Sequence, residues 1–232
     1  MNSRTALPIS DPAPDDRKRL LQLAVRLAIF TVGYNLLEGA VSIGFGVADE
    51  SLALAGFGVD SLIEVGSALL VLWRFEAELR GRPGLPLARE RRATLAIGVL
   101  YLLLAAATLA GAALQWRAGA HPATTLPGVV ISSISLAFMY FLWRAKTRLA
   151  HRLDSAVLRA DAGCSLYCIY LSLVLLSGSA LFALAPALWW ADAAAAGLLA
   201  LLVAREGFSL IRAARHPDFT GGCNCAGESA HA

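Results

Sequence analysis

Residues 51–73 read Ser51-Leu52-Ala53-Leu54-Ala55-Gly56-Phe57-Gly58-Val59-Asp60-Ser61-Leu62-Ile63-Glu64-Val65-Gly66-Ser67-Ala68-Leu69-Leu70-Val71-Leu72-Trp73. At about 20 residues per span, this run is long enough to cross a bilayer core of ~30 Å as a helix. Lipid offers the backbone no hydrogen-bond partners, so a run this rich in Leu and Ala satisfies itself as a helix. Two ionisable side chains interrupt the apolar character, Asp60 and Glu64. An ionisable group at bilayer depth costs at least ~2.5–3.5 kcal/mol on insertion scales, so both need a physical reason.

Outward from this stretch the pattern repeats. Apolar runs predict helix 1 at Leu20–Val47, helix 2 at Ser51–Trp73 and helix 3 at Ala93–Trp116, then helix 4 at Leu126–Trp143, helix 5 at Ser155–Leu184 and helix 6 at Trp189–Ile211. The composition agrees. Of 232 residues 57% are apolar and 16% charged, with a mean hydropathy of +0.61. Soluble domains lie nearer 45–50% apolar and about 25% charged. Disorder and a disulfide scaffold are excluded, the latter because four cysteines are too few for this length. The expectation is an all-α membrane protein with six transmembrane helices. A polar N-terminal tail at 1–19 precedes the six-helix domain at 20–215, and a short tail succeeds it at 216–232. No signal peptide is read in the N-terminal tail.

Basic residues set the orientation. Arg74, Arg80, Arg82, Arg89, Arg91 and Arg92 are assigned to the helix 2–3 loop, and Arg144, Lys146, Arg148 and Arg152 to the helix 4–5 loop. Arg17, Lys18 and Arg19 precede helix 1, and Arg212 and Arg215 end helix 6. The opposite loops carry Asp49, Glu50 and Arg117. By the positive-inside rule both termini are cytoplasmic, and Trp73, Trp116, Trp143, Trp189 and Trp190 fall at span ends as an aromatic belt should. This placement accounts for the net charge of +3 without nucleic acid. Small-residue spacings such as Ala107-x₃-Gly111 are read as close helix packing.

A spacing of four puts Asp60 and Glu64 on one helix face, about 6 Å apart. Counting ~1.5 Å per residue from Ser51 places them ~13 and ~20 Å below the outer end. No Lys or Arg is expected at that depth except Arg26, which can snorkel to the cytoplasmic side. An unpaired acidic pair then implies cation binding, proton exchange or both. The plainer alternative is one carboxyl held neutral and bonded to a neighbouring hydroxyl or amide. Helix 5 carries Cys164 and Cys168 at the same spacing, ~13 and ~20 Å from the cytoplasmic end and so at overlapping depth. Two carboxylates and two sulfurs suit a four-coordinate Zn²⁺-like ion. Buried thiols also serve simply as small hydrophobes. Asn35 and Glu38 share a face of helix 1. Asp161 precedes Cys164 by one turn and either receives incoming cations or pairs with Arg159. In the tail, Cys223 and Cys225 form a Cys-x-Cys that could capture a soft metal or simply be solvated. His121, His151, His216 and His231 fall in loops or tail, so no catalytic set accompanies the carboxylates and an enzyme is not expected.

These residues resemble the cation diffusion facilitator (cation efflux) family. The resemblance lies in Gly58-Val59-Asp60-Ser61-Leu62-Ile63-Glu64, in Ala160-Asp161-Ala162-Gly163-Cys164-Ser165-Leu166-Tyr167-Cys168 and in Trp190-Ala191-Asp192, and it extends over about residues 20–215. In that family the helix 2 and helix 5 pairs bind one Zn²⁺-type ion. The resemblance therefore implies a metal site of Asp60, Glu64, Cys164 and Cys168, with Asp161, Glu38, Asn35, Cys223 and Cys225 as accessory candidates. The thiols depart from the usual His or Asp, and the soluble C-terminal domain of many members is missing. The resemblance further implies divalent metal efflux in exchange for protons from a bacterial cytoplasmic (inner) membrane, with helices 1, 2, 5 and 6 moving and helices 3 and 4 as scaffold. No permanent cofactor is implied; metal ions and lipid are the partners, and a homodimer stays open. The rival readings are a non-transporting metal sensor and an organic-cation/proton antiporter.

Overall fold

The computed structural model describes residues 14–48, 52–81, 86–118, 126–184 and 191–222. Among these are six helices and no strand: α1 Pro14–Ala48, α2 Leu52–Leu79, α3 Pro86–Ala118, α4 Leu126–Leu153, α5 Ala156–Leu184 and α6 Ala191–Arg215. Each expected helix is present. Segments of α1, α2, α3, α5 and α6 are each long and apolar enough to cross a membrane. Leu37, Phe141, Leu198 and Phe208 point outward from the bundle, as lipid-facing side chains do.

The helices run past the apolar stretches that announced them. α2 continues from Trp73 to Leu79, α3 starts at Pro86 rather than Ala93, and α4 continues ten residues beyond Trp143 to Leu153. Hydropathy marks only the lipid-embedded part of a helix, whereas charged residues can extend it by pairing. Arg80 bonds Glu76 one turn back at 2.6 Å, and Arg74 bonds Glu78 at 2.9 Å. Consequently Arg74, Arg89, Arg91 and Arg92, and with them Arg144, Lys146, Arg148 and Arg152, belong to helices and not to loops. Trp189, Trp190, Asp49, Glu50, His121, His231, Cys223 and Cys225 lie outside the described residues.

Three helix pairs organise the bundle: α1 with α2, α3 with α6 and α4 with α5; α2 and α5 also meet each other. Two of these pairs close through glycine. A Cβ on Gly58 would stand 3.0 Å from the Gly39 carbonyl oxygen across α1–α2, and one on Gly207 would stand 2.9 Å from the Gly98 oxygen across α3–α6. Only a missing side chain lets backbones approach so closely. The Ala107-x₃-Gly111 spacing has a different use. A Cβ at Gly111 would meet nothing within 4 Å, and Gly111 lines a cavity instead of a helix contact.

Both ends of the described chain, together with the α2–α3 and α4–α5 connections, lie at one end of the bundle, the arginine-rich end. Arg17 reaches Glu78 at 2.7 Å, and an Arg91 guanidinium N–H donates to the His216 carbonyl at 3.1 Å. The buried Arg74 is held between Glu78 and Glu90. Glu90 Oε1 in turn accepts from Ser155 Oγ at 2.6 Å and from the backbone N–H of Val157 at 2.9 Å. A carboxylate at the start of α5 satisfies otherwise orphaned N–H groups and suits the positive end of the helix dipole. The α4–α5 turn is tight. Asp154 takes φ 46°, a left-handed conformation that a short polar side chain tolerates, and Ser155 N–H bonds back to the Ala150 carbonyl. The larger apolar core, including Phe75, Ile97, Tyr101, Leu158 and Val203, sits in this half of the molecule.

Candidate functional site

Asp60 and Glu64 lie on the face of α2 that meets α5, and both are buried, Glu64 completely. The two helices are antiparallel, so positions pair in opposing order down the interface. Asp60 lies against Cys168. One turn deeper, the Cys168 thiol donates to Glu64 Oε2 at 3.6 Å, and Ser165 Oγ donates to Glu64 Oε1. Deeper again, Ser67 Oγ donates to Asp161 Oδ1 at 2.7 Å, with Cys164 beside it between Ser67 and Tyr101. The overlap in depth inferred for the two i,i+4 pairs is therefore realised as side-chain contact at Cys168, while Cys164 faces Ser67 and Tyr101 instead. Ser61 Oγ extends the cluster to α1 by donating to Glu38 Oε2 at 3.0 Å; Tyr34 OH donates to Glu38 Oε1 at 2.9 Å. Asn35, one turn earlier on α1, donates to the Thr31 carbonyl, and its own Oδ1 is buried without a protein donor.

The site also holds a cation that sequence reasoning missed. Lys146, assigned to a loop, lies on α4 with its side chain 1% exposed. Its Nζ stands 2.7 Å from Glu64 Oε1, 3.0 Å from Asp161 Oδ2 and 3.0 Å from Ser165 Oγ. The acidic pair is thus not unpaired, because Glu64 shares a buried ammonium with Asp161. Asp161 pairs with this lysine while Arg159, the partner considered for it, is exposed. Arg26 is exposed on the bundle surface. Helix 4, cast as scaffold, supplies the positive charge of the site. Lys146 falls three residues past Trp143, and only the fold distinguishes it from Arg144 and Arg148, which α4 turns outward.

The two carboxylates are unequal. Both Glu64 oxygens are engaged by protein donors, whereas Asp60 Oδ1 is buried with none. A buried acceptor left unpaired costs its full desolvation, about 1–3 kcal/mol and more for a charged group. Asp60 also borders a cavity of about 200 Å³ that reaches Gly56 and Gln115, at the end of the bundle away from the arginines. Glu64 and Lys146 are absent from its lining. A second cavity, about 300 Å³, lies near the arginine-rich end among α3, α4, α5 and α6, bordered by His151, Arg159, Glu206, Phe219 and Gly222. It touches the opposite face of α5 from the carboxylates, at Ala160, Gly163 and Tyr167.

Among the described residues no three His, Cys, Asp or Glu side chains stand together as a ready metal cage. Geometry explains this. Lys146 holds Glu64, and Cys164 turns toward Tyr101 and Ser67. What the arrangement offers is one buried carboxylate open to a cavity and a second reserved by a lysine.

A bundle of membrane-length helices enclosing buried, partly compensated carboxylates beside a cavity defines an integral membrane protein built to handle cations. Residues 89–216 match the family model described as the cation efflux transmembrane domain, and the chain belongs to that family of cation transporters. The match spans α3 to α6; it takes in Lys146, Asp161, Cys164 and Cys168 and stops short of Asp60 and Glu64. Among curated proteins none matches the chain.

Proposed function

We propose that this protein exports a divalent transition-metal ion, Zn²⁺-like, in exchange for protons, with Asp60, Glu64 and Cys168 as ligands and Cys164 joining the set once its thiol leaves Ser67 and Tyr101. The observation that carries the reading is Asp60: buried, bordering a cavity, and with an oxygen that has no protein donor. A metal ion would supply that missing positive partner. Cys168 lies against both α2 carboxylates, and a thiolate beside carboxylates tilts a site toward Zn²⁺ and softer ions. Asn35 Oδ1, also without a donor, and Glu38, linked to α2 through Ser61, are accessory oxygens on the α1 side.

Exchange with protons results from shared ligands. Metal binding needs deprotonated carboxylates and thiols, so protons and metal displace each other. The arginine-rich end faces the cytoplasm of a bacterial inner membrane by the positive-inside rule. On that orientation the Asp60 cavity belongs to the outward-facing arm of an alternating-access cycle. The Arg74–Glu90–Ser155 network, with Arg17 and Glu78, closes the inner side and would have to part for loading. Cys223 and Cys225, which follow Gly222 in the sequence, are proposed to capture a soft ion on the cytoplasmic side.

The test is Zn²⁺, Cd²⁺, Mn²⁺ and Fe²⁺ uptake into proteoliposomes under an imposed pH gradient. Gradient-driven flux that disappears in Asp60→Asn supports the reading. Tight binding without flux, in folded protein, would replace it with a metal sensor. Flux of bulky organic cations that survives Cys164→Ser with Cys168→Ser would replace it with an organic-cation antiporter.

A further inference from the structure

We infer that Lys146 is a tethered cation that competes with the transported metal for Glu64, releasing the carboxylate when cargo binds and reclaiming it when cargo leaves. The inference rests on the transport reading above. An ammonium has three donors; Lys146 hydrogen-bonds Glu64 and Ser165 and stands at ion-pair distance from Asp161 Oδ2, an oxygen with no other donor, and all three partners are buried. A lysine charge sits at the end of a flexible four-carbon stem and can shift between adjacent acceptors. Asp161 offers such an acceptor. It lies 3.0 Å from Nζ and is itself steadied by Ser67, so the lysine can leave Glu64 without becoming an unpaired buried charge.

Charge counting gives this exchange its consequence. With Lys146 on Glu64 and Asp161, the inner half of the site carries two carboxylates and one ammonium. When Lys146 withdraws to Asp161 alone, those two form a neutral pair and Glu64 is free beside Asp60. Two carboxylates then face a divalent ion, and the loaded site is neutral in its carboxylates, ammonium and metal. Without Lys146 the metal-free carrier would hold Glu64 either as an uncompensated charge in a low-dielectric interior, the most expensive arrangement for a buried charge, or neutralised by an additional proton. Lys146 therefore acts in the return of the empty carrier more than in the passage of the loaded one. Metal-for-metal exchange, in which the carrier never reorients empty, does not call on it.

Three forms of the full chain test this: wild type, Lys146→Gln, and Lys146→Gln combined with Asp161→Asn. The double variant removes one charge of each sign, keeps the site's net charge and guards against misfolding of the single one. Zn²⁺ affinity is measured by calorimetry on purified protein. Net ⁶⁵Zn²⁺ uptake and exchange against internal Zn²⁺ are measured in proteoliposomes. A tethered competitor predicts at least tenfold tighter Zn²⁺ binding in the double variant and at least a tenfold higher ratio of exchange to net uptake. A lysine that only holds the fold together would leave that ratio unmoved in whatever protein folds. Wild-type-like affinity and ratio in a folded variant overturn the inference, as does weaker binding there. Absence of both uptake and exchange in the wild type overturns the transport reading itself, and the inference with it.

Discussion

Replacing Lys146 by methionine tests the buried charge network as a structural element. Methionine keeps most of the volume and removes the ammonium, so Glu64 and Asp161 lose a shared partner at once. Stripping one partner from a buried ion pair costs about 3–5 kcal/mol, because the remaining charge is left uncompensated. Here two carboxylates are stranded, with Ser165, Cys168 and Ser67 as their remaining donors. Lys146→Met should therefore fall at the upper end of that range. Glu64→Gln is a milder change. Lys146 keeps Asp161, and the amide still offers an oxygen, so the loss is that of a charge-assisted bond, ~1.5–3 kcal/mol. The double change Lys146→Met with Glu64→Gln leaves only Asp161 charged and should be more stable than Lys146→Met alone, a non-additivity expected of contacting groups. Unfolding in mixed micelles, monitored by helical circular dichroism against denaturing detergent, gives the three differences. The reasoning is refuted if Lys146→Met lies within about 1 kcal/mol of wild type, or if the double variant is the least stable of the three.

Individual contacts carry other consequences. Gly58→Ala would place a Cβ 2.6 Å from Ile43 Cγ1 and 3.0 Å from the Gly39 oxygen, and overpacking of this kind costs ~1–3 kcal/mol. Gly111→Ala, facing open space, should be neutral or gain up to ~1 kcal/mol of helix propensity; thermal melts of the two variants separate them. Cys168→Ser should shift preference from Cd²⁺ toward Mn²⁺ by roughly tenfold in competition uptake, equivalent to about 1.4 kcal/mol, since that sulfur touches both α2 carboxylates. Cys164→Ser, whose sulfur sits between Ser67 and Tyr101, should shift it less; an equal shift would mean both thiols ligate alike. Glu90→Gln removes a charged partner of the buried Arg74 and should destabilise the protein by ~3–5 kcal/mol. Its effect should appear first as faster hydrogen exchange at the start of α5, where Val157 N–H loses its carboxylate; unchanged protection there would contradict the proposed closure. A cysteine introduced at Thr108, which lines the Asp60 cavity, should react with a membrane-impermeant thiol reagent added outside and be shielded from one added inside; the reverse would invert the assigned orientation.

Much of this protein is legible in one dimension because its solvent is lipid. A backbone in hydrocarbon must form helices, and about 20 apolar residues must separate one aqueous side from the other. That constraint is local, so apolar runs locate each helix. Depth is local too: a rise of ~1.5 Å per residue places Asp60 and Glu64 against the helix 5 thiols before any packing is known. The contacts from Cys168 to Asp60 and Glu64 realise that register. Lys146 shows where such reasoning ends. Among Arg144, Arg148 and Arg152 it reads as one more basic residue beyond a span, and hydropathy cannot tell a lysine turned to water from one turned inward. That choice depends on which face of α4 lies on α5 and how far α4 continues past Trp143, both settled by lateral packing. Arg74 reads as a loop residue for the same reason, its partners Glu78 and Glu90 lying on α2 and α3. The sequence alone determined the helical membrane class and the depth of the acidic pair, because the bilayer acts on each segment separately. Tertiary structure alone decided which carboxylate is open and which is held by a lysine, because pairing of buried charges is a relation between helices.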